Sequence, residues 1–156
     1  MAAVNIKDFR SKMNSVLDKL TTKLPELGLS HAITSKTLIQ KRIQTTGKNS
    51  KGGQLGEYSE SYKKTRQRQP GRLQVAFVDL TFSARMWANI GAQQETMNGD
   101  KITVKIGTSN SEDEKKLVYN TIRYDEVLSI SKEEQELIGN SLVSEVSEFL
   151  QKEFQQ

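Results

Sequence analysis

The sequence predicts an α+β fold in a single domain spanning residues 1–156. Three observations carry that expectation. The two ends of the chain show apolar residues at helical spacing, residues 101–107 alternate strictly, and no internal repeat suggests a βα array or a solenoid. The expected architecture is a pair of long terminal amphipathic helices on a small antiparallel hairpin. A mobile basic loop or arm is expected over about 45–72.

The first helix is written by Ile6, Phe9, Met13, Val16, Leu17, Leu20 and Leu24, three or four apart. Asn5 suits its N-cap, and Asp8 in the first turn suits the helix dipole. Pro25 disfavours helical geometry at Leu24, so the helix is expected to close there. A second, shorter helix is expected from Ala32 to Gln44, with Ile33, Thr37, Leu38 and Ile43 on its apolar side.

"TTGKNSKGGQLGEYS" (45–59) reads as a glycine-rich polar loop. "YSESYKKTRQRQPGR" then supplies a helical turn or two, ended by Pro70-Gly71, and "LQVAFVDL" an extended approach. A short helix follows through Phe82, Met86, Trp87 and Ile90 and carries the only tryptophan. Asn98-Gly99 is expected to centre a type I′ hairpin turn. Beyond it, Ile102, Val104 and Ile106 face one way and Lys101, Thr103 and Lys105 the other.

Residues 109–124 are expected to hold a short helix. Ser131 and Glu134 form a capping box for the last one, whose apolar side carries Leu137, Ile138, Leu142, Val143, Val146, Phe149, Leu150 and Phe154.

Composition narrows the function. The 156 residues include no cysteine, which removes disulfides and thiolate metal sites. No apolar run approaches the ~18 residues that span a bilayer, and "MAAVNIKDFRSK" lacks the apolar centre of a signal peptide. No membrane association or export by that route is expected. His31 is the one histidine, the acidic pairs sit at helix starts, and "GKNSKGG" lacks the Walker spacing. No catalytic, metal or cofactor-binding set emerges, and the chain is expected not to be an enzyme.

Net charge is +4, but its distribution is uneven. Residues 36–72 carry ten basic and two acidic groups, a net of +8; residues 112–156 carry five basic and eleven acidic groups, a net of -6. The basic run holds the candidate interaction residues: Lys63, Lys64, Arg66, Arg68 and Arg72 for phosphates or an acidic partner, and Tyr58 and Tyr62 for stacking. Head-to-tail self-association can draw on both halves.

Four segments occur in an order that resembles the phage virion-morphogenesis proteins, also called tail-completion or neck proteins. They are "GEYSESY" (56–62) with its basic tail, "VDLTFSARMWANI" (78–90), "KITVKIGTSN" (101–110) and "VLSISKEEQELI" (127–138). The resemblance covers about residues 40–154. Ala84 stands where the family usually has glycine, and "SEDEKKLVYN" replaces an alanine- and histidine-rich stretch.

The resemblance implies a non-enzymatic virion protein acting in head–tail joining or tail completion. It implies a homo-oligomeric ring with six-fold symmetry that meets portal-side connector and tail-tube proteins, with genomic DNA in its lumen. It implies residence in the virion, and in the host cytoplasm during assembly. It also implies that the helix around Trp87 is a packing element, with Trp87 in core or subunit interface, where a large aromatic anchors either. The alternative from the residues alone is a DNA-binding accessory protein using 36–72.

Overall fold

A computed structural model describes residues 5–71, 73–81, 85–98 and 101–155. The fold is α+β. In chain order it comprises α1 (Ile6–Thr46), α2 (Glu60–Gln67), α3 (Arg85–Asn89), β1 (Gly91–Asn98), β2 (Lys101–Gly107), α4 (Ser111–Tyr124) and α5 (Lys132–Gln155).

The expected break at Pro25 does not occur. α1 runs through it as one helix of 41 residues, absorbing the separate helix expected at Ala32–Gln44. A proline inside a helix removes the bond to the carbonyl four residues back and costs about 3 kcal/mol. Packing outweighs that cost because α5 lies antiparallel along α1 on both sides of Pro25. Before it, Lys12 Nζ donates to the Phe154 carbonyl at 3.2 Å and Lys19 pairs with Glu153 at 2.5 Å. After it, His31 lies 3.4 Å from Glu145, and Arg42 meets Glu134 at 2.9 Å. Leu27, Ala32, Ile39 and Ile43 continue the buried stripe to the end.

Asn5 caps α1 as expected, its side chain accepting from the Lys7 N–H. Gly47 ends the helix in the left-handed conformation (φ 62°), its N–H returning to the Ile43 carbonyl at 3.0 Å. Glycine is required twice over: a Cβ there would lie 2.4 Å from the Phe77 ring.

The sheet is the expected antiparallel pair, β1 against β2, with a bulge between Gln94 and Thr96. Its turn differs from expectation. Asn98 pairs with Lys101, so the connection is residues 99–100, outside the described residues, instead of being centred on Asn98-Gly99. The alternation of β2 holds: Lys101, Thr103 and Lys105 are exposed, while Ile102, Val104 and Ile106 are half-buried. Ile102 and Val104 lie over Gly28, where a Cβ would sit 3.3 Å from each.

At the start of α5 the capping box closes in both directions. Ser131 N–H donates to Glu134 at 2.8 Å, and Glu134 N–H donates to the Ser131 hydroxyl at 3.2 Å. The core gathers Ile39, Ile43, Leu55, Val78, Trp87, Ile90 and Val127 at the C-terminal half of α1.

Candidate functional site

The segment expected to be a mobile basic arm is anchored. Asn49 organises its first turn by accepting from the N–H groups of Lys51 and Gly53. Backbone bonds tie Leu55 to Gly47 and Val78 to Gly56. Ser59 caps α2, which carries Arg66 inward until it is 1% exposed.

Arg66 meets Asp79, which is 3% exposed and stands in the apolar run "VAFVDL". One guanidinium nitrogen contacts both carboxylate oxygens, at 3.0 and 2.9 Å. Nε donates to the Gln74 carbonyl at 2.9 Å, and the remaining nitrogen donates to the Thr81 carbonyl. The Tyr58 hydroxyl donates to Asp79 Oδ1 at 2.8 Å and accepts from the Asp79 N–H at 3.0 Å. Gln74 Nε2 and the Thr81 N–H complete the ring of donors. The guanidinium also stacks over the Tyr58 ring, 4.5 Å from its centre.

Burial pushes the Asp79 carboxyl up, but hydrogen bonds from Thr81, Gln74 and Tyr58 outweigh it and hold the group below its ordinary range. Burial, reinforced by the neighbouring carboxylate, pushes the Tyr58 phenol well above its usual value. Every strong acceptor site of Asp79 is therefore engaged, leaving no free base. The cluster joins α2 to the segment that leads to α3. Among the described residues, no group of three or more His, Asp or Glu side chains is placed to hold a metal ion. None of the described helices is long and apolar enough to cross a membrane.

This placement corrects the reading of Arg66 as a phosphate-binding group, because its guanidinium is buried against Asp79; Tyr58 gives its hydroxyl to Asp79 while its half-buried ring lines the groove described below. Lys63 is held by Glu57 and Glu60, each at 2.9 Å. Lys64 and Arg68 are exposed, and Arg72 lies outside the described residues. The two charged halves also meet within the chain, through Arg42 with Glu134 and Lys51 with Asp125 and Glu126. Part of the opposite charge available for a neighbouring copy is thus already spent internally.

Of the expected packing residues, Trp87 and Ile90 belong to the core and Met86 packs against it; Phe82 lies outside the described residues. Trp87 is 3% exposed, which makes it an intramolecular core residue within this chain. Its indole N–H makes no hydrogen bond among the described residues; neither does either ring nitrogen of buried His31, whose Nε2 lies 3.4 Å from Glu145 Oε1.

A groove of about 550 Å³ opens beside the Arg66–Asp79 cluster. Tyr58 and Tyr62 form one wall and Tyr119 and Tyr124 of α4 the other, and Leu80, Met86, Lys115 and Lys116 also line it. Leu80 takes a left-handed backbone (φ 53°), a conformation costing a side chain about 1–2 kcal/mol. Bonds to Asp79 and Thr81 on either side hold it there. Sequence reasoning missed this second wall. The signal for Asp79 was a lone carboxylate in an apolar run; for the α4 residues no comparable signal existed.

The chain matches no protein-family model, and no curated protein or solved structure is significantly similar to it.

Proposed function

We propose that the chain is a non-enzymatic structural protein of a tailed-phage virion. It acts in head–tail joining or tail completion as a subunit of a ring, with portal-side and tail-tube proteins as neighbours. The observation that carries this reading is the junction of two of its family-like segments. Tyr58 and Arg66, from "GEYSESY" and its basic tail, interlock with Asp79 and Thr81 of "VDLT". The residues behind the resemblance thus have a framework role, which suits a protein whose work is assembly. Large apolar side chains left open on the helices, among them Ile6, Phe9, Val118, Ile122 and Val143, suit a chain covered by neighbours.

Gold-labelled antibodies on virions of the phage that encodes the chain test the proposal. The expected result is label at the head–tail junction, with unjoined heads and tails when the gene is deleted. Virions without the chain, or normal particles after deletion, would overturn it. The rival reading, a DNA-binding accessory protein, retains exposed Lys64 and Arg68 but loses Arg66 to the buried pair.

A further inference from the structure

We infer that the tyrosine groove receives the first two turns of α5 from a second copy of this chain. The inference rests on the ring-subunit reading and supplies the contact that reading lacks. The groove is lined by apolar Val78, Leu80 and Met86, by an exposed ring in Tyr119 (58%), and by Lys115 and Lys116. No carboxylate lines it among the described residues. Lys116 is already paired with buried Asp113, so Lys115 is the cation most open to a partner.

The complementary feature lies on α5 of the same chain. Leu137 is 59% exposed, a large apolar side chain uncovered by its own protein, and exposed Glu133 and Glu136 flank it within about one helical turn. An apolar anchor with two carboxylates matches a groove lined by aromatic and apolar side chains and two lysines, the helix-in-groove mode of recognition. Helix and groove are different patches, so the contact is heterologous, and successive copies close into a ring or extend into a filament. It replaces the pairing with 36–72 suggested by segment charge, because Arg42, Lys51, Lys63 and Arg66 of that segment are already paired within their own chain.

The test is the solution mass by sedimentation across a concentration series, with Lys115→Glu, Leu137→Asp and the double variant Lys115→Glu/Glu136→Lys. All three positions are exposed, so melting temperatures should match the wild type. Each single variant should weaken self-association at least tenfold, and the double variant should recover most of it. Recovery is an outcome that misfolding cannot imitate. An equimolar mixture of Lys115→Glu and Leu137→Asp should stop at dimers, since only one intact contact can form.

Wild-type association in both single variants would overturn the inference. So would a wild-type chain that stays monomeric up to about 1 mM. A thymidine oligonucleotide that binds the monomer and is lost with Lys115→Glu would make the groove a nucleic-acid site, also against the inference. Virion labelling is read separately: label with variant-insensitive association removes the contact and keeps the virion role, and the converse removes only the role.

Discussion

Arg66 and Asp79, thirteen residues apart, form a buried ion pair that fixes the mid-chain segment against the strand-like approach to α3. Removing one member of such a pair leaves the other charge buried and uncompensated, at a cost of about 3–5 kcal/mol. Arg66→Met and Asp79→Asn are each expected to lower stability by that order in urea titrations. Lys64→Met and Arg68→Met, on exposed positions nearby, should change it by less than about 0.5 kcal/mol.

The same pair sets a pH dependence. The folded pKa of Asp79 lies below its unfolded value of about 3.9, so the carboxylate contributes stability above that value. The contribution is lost as pH falls through the folded pKa. Wild type should therefore lose stability below about pH 4 more steeply than Asp79→Asn, measured as the difference between their midpoints from pH 6 to pH 2. Parallel curves would show that Asp79 is not held in its charged form.

Trp87 is buried among Ile39, Ile43 and Val127. Truncation of a core tryptophan costs about 3–5 kcal/mol. Trp87→Ala should lower the melting temperature sharply, and Trp87→Phe less so. Unchanged stability with failed assembly would place the side chain at an interface instead.

Pro25 sits inside a continuous helix splinted by α5. Pro25→Ala restores the missing N–H and removes the ring, and is expected to stabilise by about 1–3 kcal/mol. A destabilised variant would mean that the neighbouring packing is built around the ring.

Free protein is expected to bind duplex DNA only near the ~10⁻⁴–10⁻⁶ M typical of non-specific basic surfaces. Neutralising Lys64 and Arg68 together should flatten the salt dependence by up to about 0.9 per lost phosphate contact, in a fluorescence-anisotropy titration. Submicromolar binding at physiological salt, abolished by those substitutions, would favour the DNA-binding reading.

The sequence by itself determined the elements. Apolar spacing wrote α1 and α5, strict alternation wrote β2, and the Ser131–Glu134 box placed the start of α5. These are local signals, carried by residues within one or two turns of each other. Tertiary structure decided the rest. Pro25 reads as a stop because local sterics disfavour it, yet α5, more than a hundred residues away, holds the helix through it. Arg66 reads as a solvated cation because its run is polar, yet Asp79 draws it inside, where its charge supports the framework. The groove joins tyrosines of α2 and its approach to tyrosines of α4, about sixty residues apart. No local pattern encodes such a meeting, because the energy that selects it comes from packing between segments distant in sequence.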